Sequence, residues 1–193
     1  KAGRLLTQED LLDEVTGKGR DPNALPRMTP EEIENTAVHE AGHALARCLS
    51  STKGKDIAFV SIVPRANGTL GFVMFAPSEK QSVTRAEYIE HLEIALAGRA
   101  AEEIRFGPDG ISGGAFSDLK YATEKAQHMI SQLGLGPNGS LVWTDTLTAA
   151  QLEETEKLLS EVYSSIKTKL RKNQSTLMTL AEALKQRQEL TGT

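Results

Sequence analysis

Residues 29–48 read Thr-Pro-Glu-Glu-Ile-Glu-Asn-Thr-Ala-Val-His-Glu-Ala-Gly-His-Ala-Leu-Ala-Arg-Cys, and the five residues His39-Glu40-Ala41-Gly42-His43 decide how the chain is read. Thr29 is a good N-cap, Pro30 suits the first helical position, and Glu32 closes a capping box. Apolar residues recur at Ile33, Ala37, Val38, Ala41, Ala44, Leu45 and Cys48, a helical period that predicts a helix over 30–49. Within it the pattern is HExxH. Histidines four apart stack on one helical face, one turn above the other, so both imidazoles can reach one Zn²⁺. Glu40 lies beside that pair, placed to take a proton from a water held at the metal. The competing reading is a coincidental pair of helix histidines. Against it, half of the chain's four histidines fall inside the motif, and the motif falls inside a helix.

The composition is that of an ordinary globular protein. At 193 residues, with 39% hydrophobic and 25% charged residues, the chain is long enough to bury a substantial core. The formal charge is 22 − 26 = −4, with no long block of like charge, so no nucleic-acid surface is expected. No apolar run approaches a membrane span and no signal peptide opens the chain, so no membrane contact is expected of these residues. The single cysteine, Cys48, excludes an internal disulfide and reads as a small buried residue of the motif helix. A reducing, cytoplasmic setting is the expectation.

Working outward, RLLTQEDLLDEVT at 4–16 reads as a short amphipathic helix with Thr7 and Asp10 as a capping box, and the Gly/Pro-rich stretch that follows reads as a linker. The expected division is a helical remnant at 1–16, a linker at 17–28 and one domain over 29–193. After the motif helix, 57–63 and 69–76 look like two strands joined by a turn through Pro64–Gly68, with Asn67-Gly68 at its end. A second helix is expected over 84–106, capped by Thr84 and Glu87. Its small residues Ala95, Ala97, Gly98, Ala100 and Ala101 would let the motif helix approach closely at Ala41, Gly42 and Ala44. The glycine-rich loop Gly107–Gly114 leads into a third helix from about Phe116 to Leu133. A loop over Gly134–Leu147 and helices over 148–172 and 174–189 complete the chain, the short connection predicting an antiparallel pair. The expected fold is therefore mostly α with a small β-sheet, ending in two antiparallel helices.

A catalytic zinc needs three protein ligands and an open position. Outside the motif the candidates are His91, His128 and several carboxylates, and spacing alone does not choose among them. Asp118 has the best local argument, since it follows a flexible loop and sits in the first turn of a helix. An acidic first-turn residue is equally what a helix dipole favours.

HEAGHA at 39–44, VSIVPR at 60–65, GTLGFVMFAP at 68–77, LAGRAAEE at 96–103 and SGGAFSDLKYAT at 112–123 resemble, in order and spacing, the peptidase domain of FtsH-type AAA metalloproteases. The resemblance runs from about residue 5 to residue 192. It implies that the third zinc ligand is the aspartate of GAFSDLK, Asp118. It also implies one Zn²⁺ per chain held by His39, His43 and Asp118, a homo-hexameric ring, and ATP used only through an ATPase module upstream. RLLTQEDLLDEV resembles the last helix of that ATPase's lid, and QELTGT the point just before the family's last short helix, so the chain reads as part of a longer one. Gly107–Gly114 lacks the lysine and Ser/Thr of a Walker A loop. Phe116 and Ser117 stand where many relatives have small or polar residues and an asparagine, which leaves the ligand in place and alters the adjoining pocket.

The expected activity is hydrolysis of peptide bonds in unfolded or unneeded proteins, with Glu40 as general base and then proton donor to the leaving amine. Glu102 and Glu103 are candidate acceptors for the histidines' second N–H, against the alternative of solvated helix-face charges. The strand at 69–76, through Gly71, Phe72, Val73 and Met74, is the expected platform for an extended substrate; the alternative is a strand that only covers the motif helix. Two other functions compete. One is a zinc-stabilised oligomerisation scaffold without proteolysis, which has no need of Glu40. The other is a zinc peptidase that works without an ATPase.

Overall fold

The computed structural model describes residues 27–51, 56–65, 68–76 and 82–192. The expected helix at 4–16, most of the expected linker, and Asn67 of the turn lie outside these residues.

Helix starts follow local chemistry. Helix α1, Pro30–Leu49, opens with the expected capping box: the Glu32 N–H donates to Thr29 Oγ1 at 3.2 Å and the Thr29 N–H to Glu32 Oε2 at 2.7 Å. Helix α2, Arg85–Phe106, repeats the device with Thr84 and Glu87. Each box satisfies two N–H groups that a helix start otherwise leaves orphaned, stabilising it by about 1 kcal/mol. Helix α3, Phe116–Ser131, begins directly after two short 3₁₀ turns. Helix α4, Ala149–Lys172, is capped by Thr148 and Gln151, and α5, Gln174–Arg187, follows across Asn173. No helix among the described residues is long and apolar enough to cross a membrane.

Helix α1 is central, packed chiefly against α2 and α5, while α2 also receives α4 and α3. The expected small-residue contact is present. A methyl group on Gly42 would lie 2.6 Å from the Ala97 carbonyl oxygen and 2.7 Å from Ala101 Cβ, so α1 and α2 touch almost backbone to backbone. Leu92, Met129, Leu170 and Leu177 are fully buried in the same core as Ala97 and Ala101. Each contributes about 1.5–3 kcal/mol by leaving water.

The mostly helical fold with a small sheet is as expected; several details differ. The last two helices meet little beyond their Asn173 corner, because α4 finds its main partner in α2 and α5 in α1. The strands are shorter than their apolar runs: β1 is Ile57–Ser61 and β2 is Phe72–Phe75, antiparallel, with Val60 opposite Val73. A third strand was not expected. The final helix stops at Arg187, Gln188 adopts a left-handed conformation (φ 62°), and β3, Glu189–Thr191, pairs antiparallel with β1. The order is β2-β1-β3, so β2 is an outer strand. Cys48 is exposed rather than buried, as is Leu49 beside it, although Ala46 and Arg47 of the same turn are buried.

Candidate metal centre and cleft

His39 and His43 occupy one face of α1 as the i, i+4 spacing requires, their ring centroids 4.7 Å apart. The start of α3 brings Asp118 against them. Asp118 Oδ2 lies 3.1 Å from His39 Nε2 and 3.6 Å from His43 Nε2, and the two Nε2 atoms are 3.0 Å apart. His91 and His128 lie elsewhere: His91 on the cleft wall, His128 at the end of α3 against Gln132 Oε1 at 2.9 Å.

The outer nitrogens determine what the inner ones offer. His43 Nδ1 is 2.7 Å from the Ile94 carbonyl oxygen, which can only accept, so Nδ1 carries the proton. His39 Nδ1 is 2.6 Å from Glu102 Oε1, and the other oxygen of Glu102 accepts from the Ser112 N–H at 2.6 Å. With Nδ1 committed to these acceptors, Nε2 is the atom each ring can turn, as a lone pair, to a cation beside Asp118. Three acceptors facing one another repel unless a positive charge lies among them. A tetrahedral ion with bonds near 2.0–2.1 Å would hold its ligand atoms about 3.3 Å apart, which the three separations bracket. The residues fit a divalent cation. Among the described residues this is the one group of His, Cys, Asp or Glu side chains with that convergence.

A proton on His39 answers the same need for positive charge when no metal competes for its Nε2. Burial opposes a charge on His39, but hydrogen bonds to Asp118 and Glu102 and the nearby Glu40 outweigh it, raising its pKa to about 10. Burial likewise opposes ionisation of Asp118, yet its contacts with His39 and His43 hold it well below the usual carboxylate range. Glu102 is lowered despite burial, by His39 and the Ser112 N–H. Glu40 moves the other way. It is buried, and burial raises its pKa against the partial offset of His43 and His39. A carboxylate tuned upward suits proton acceptance.

The neighbours leave no slack. An added Cβ on Gly98 would lie 2.4 Å from His39 Nε2, so α2 presents bare backbone to the imidazole face. One on Gly71 would lie 2.7 Å from Glu40 Oε1, so the approach to β2 rests directly on that carboxylate. Over the centre opens a cleft of about 1140 Å³, walled by the β2 segment on one side and the start of α3 on the other. Gly71, Phe72, Val73 and Phe75 line it, and Met74 is not among its lining residues.

Sequence reasoning left Glu102 and Glu103 equivalent. Glu102 is buried on His39, whereas Glu103 turns to Tyr163 and Lys167 of α4. The Ile94 carbonyl and the Ser112 N–H were missed, having no side-chain signature. Gly98 had a readable signal, because a glycine inside a helix costs about 1 kcal/mol and so needs a packing reason.

Comparison with known proteins agrees with this geometry. Residues 26–152 match the profile of Peptidase family M41. The ATP-dependent zinc metalloprotease FTSH 11 of Arabidopsis thaliana is 36% identical over 163 residues, 81% of this chain and 20% of the relative. The ATP-dependent zinc metalloprotease FtsH 2 of Symbiobacterium thermophilum is 36% identical over 199 residues, covering 95% and 33%. The mitochondrial inner membrane m-AAA protease component yta12 of Schizosaccharomyces pombe is 33% identical over 177 residues, covering 85% and 23%. The chain spans between a fifth and a third of the length of these relatives. With a family match across most of its length and the HExxH helix, Asp118 and Glu40 gathered at one cleft, the chain belongs to Peptidase family M41.

Proposed function

We propose that this chain is the zinc-dependent endopeptidase domain of an ATP-dependent protease that degrades unfolded or unneeded proteins. His39, His43 and Asp118 hold one Zn²⁺ and Glu40 is the general base. The observation that carries this reading is the convergence of three acceptor atoms within 4.8 Å of one another beside a buried carboxylate. Zinc bound there supplies a Lewis acid that acidifies water and polarises a carbonyl.

The chain's own groups do the rest. Glu102 and the Ile94 carbonyl fix the tautomers and planes of His39 and His43. Glu40 accepts a proton from the attacking water and passes it to the leaving amine, a role its raised pKa supports. The outer edge of β2, entered at Gly71 and running through Phe72, Val73 and Met74, receives an extended polypeptide by backbone hydrogen bonds. Those bonds are indifferent to sequence, which suits unfolded substrates. The names of the relatives, "ATP-dependent", support an ATPase module outside these residues, and the family resemblance supports a homo-hexameric assembly.

The test is cleavage of unfolded casein, with zinc content measured in parallel, for wild type and Glu40→Gln. Cleavage by wild type, lost in a variant that keeps its zinc, supports the assignment. Zinc in both proteins with cleavage in neither, in the assembled full-length protease, would favour the scaffold reading instead.

A further inference from the structure

Arg65 carries a buried charge that the catalytic reading does not use. It stands in the turn between β1 and β2 and is only 1% exposed. Its backbone closes that turn: the Arg65 N–H donates to the Thr69 carbonyl at 2.7 Å, and the Gly68 N–H donates to the Arg65 carbonyl at 3.0 Å. Its guanidinium reaches back over the sheet. Ser61 of β1 stands opposite both Phe72 of β2 and Glu189 of β3, so these residues form one row across the strands. Arg65 meets every member of that row. Nη2 donates to Ser61 Oγ at 3.2 Å and lies 3.6 Å from Glu189 Oε1, and the guanidinium carbon is 5.0 Å from the centre of the Phe72 ring. Stability of the fold does not require this choice. Taking a guanidinium out of water is unfavourable, and an apolar side chain of similar volume is often as stable or more so. The neighbours do not need it either, since Ser61 Oγ also donates to Glu189 Oε1 at 3.2 Å and accepts from the Val63 N–H at 3.1 Å. What the guanidinium adds is direction: a flat fork holds its hydrogen-bonding and ring-stacking partners in one geometry.

We infer that Arg65 is a positioning residue for the polypeptide substrate: by clamping Phe72 against the Ser61–Glu189 row, it fixes the β2 backbone where an extended chain pairs with it. The inference rests on the peptidase reading above, with β2 as the substrate edge. Phe72 is the first residue of β2 and lines the cleft, directly after Gly71, which abuts Glu40. Arg65 is not itself a lining residue, so it acts through the Phe72 ring and the turn it closes. It also ties the substrate edge to β3, the strand that follows the last helix. Backbone bonds to β2 are made in the bound substrate and in the transition state alike. Loosening β2 therefore removes binding from both, which raises KM and leaves kcat in place.

The experiment measures KM and kcat of the zinc-loaded protein on a fluorogenic peptide, with zinc content and Tm alongside. In Arg65→Met, which fills a similar volume, KM is expected to rise about three- to thirtyfold, the range of a desolvated cation–π contact, with kcat within about twofold. Zinc content and Tm should stay at their wild-type values. In a Phe72→Leu background, where the ring is gone, the same substitution should change KM by less than about twofold. Glu189→Gln keeps the guanidinium and removes its counter-charge; KM should rise here too, and this variant decides the matter if Arg65→Met does not fold. An unchanged KM in either folded variant overturns the inference. So does an undiminished effect of Arg65→Met without the Phe72 ring, or a loss confined to kcat or zinc content, which makes Arg65 a support of the metal centre. If zinc-loaded wild type cuts no better than Glu40→Gln, the peptidase reading fails and takes this inference with it.

Discussion

Replacing Gly98 with alanine places a methyl carbon 2.4 Å from His39 Nε2, 2.5 Å from Cε1 and 2.7 Å from Cδ2. Ordinary carbon contacts begin near 3.5 Å, so ring and helix must part by about 1 Å. Neither yields easily. His39 is tied by Nδ1 to Glu102 at 2.6 Å, and α2 is held against α1 where Ala97 and Ala101 abut Gly42. Overpacking of this kind costs about 1–3 kcal/mol. Alanine is the better helix former by about 1 kcal/mol, leaving a net loss of roughly 0–2 kcal/mol. For a domain of this size that is a fall in Tm of about 0–8 °C. The metal centre is far less tolerant, since ligand positions matter to about 0.2 Å. Zinc affinity should fall at least as far as for loss of an outer-shell partner, about 10–100-fold. Competition with a chromogenic chelator reads the affinity, a thermal melt the stability, and casein cleavage the activity. Gly113→Ala, where an added methyl meets nothing within 4 Å, is the control. A Gly98→Ala protein with wild-type zinc affinity and cleavage rate would refute the argument that bare backbone at this position sets the His39 ring.

Three further outcomes are expected. Glu102→Gln has one acceptor oxygen where the carboxylate serves both His39 Nδ1 and the Ser112 N–H, so zinc affinity should drop by about 10–100-fold; an unchanged chelator titration contradicts this. Gly71→Ala drives a methyl to within 2.7 Å of Glu40 Oε1 and of Thr36 Cγ2, so casein cleavage should fall about tenfold or more while zinc stays bound, and cleavage at the wild-type rate would count against the position of Glu40 mattering to the reaction. Glu103 is held below its ordinary pKa by Lys167 and then by Tyr163. A depressed carboxylate stabilises the fold above its unfolded pKa, about 4.3, and loses that contribution as pH falls through the lower folded value. Urea melts should therefore show Glu103→Gln less stable by about 1–3 kcal/mol at pH 7, the gap closing in acid; a gap that persists at low pH would assign the loss to packing.

Legibility followed the range of the forces involved. Helix α1 runs over the residues expected of it, because Thr29, Pro30 and Glu32 act within four residues of one another. The His39–His43 relation is equally local, one helical turn. Asp118 is not: it lies 79 residues from His39, and motif spacing alone left His91, His128 and other carboxylates in competition. Cys48 was misplaced because an apolar period continues to a helix's end whether or not a partner does. Strand β3 went unrecognised, with only Glu189 falling at the end of the expected last helix, because three residues carry no period and its pairing with β1 spans more than a hundred residues.

What the sequence determined by itself is the chemistry on offer: a capped helix presenting two imidazoles and a carboxylate, small residues that let a second helix close on it, and a strand with glycine at its entrance. Those properties reside in covalent geometry and short-range hydrogen bonding. Tertiary structure alone decided which distant groups complete them. Helical phase turned Glu102 inward to His39 and left Glu103, its neighbour, to Tyr163 and Lys167. Packing of α3 set Asp118 against His39 and His43 with Phe116 on the cleft wall, and the order β2-β1-β3 made β2 an outer strand among the described residues. The reason is physical: side-chain identity specifies what a group can donate or accept, but a partner is specified only when burial brings remote segments within a few ångströms.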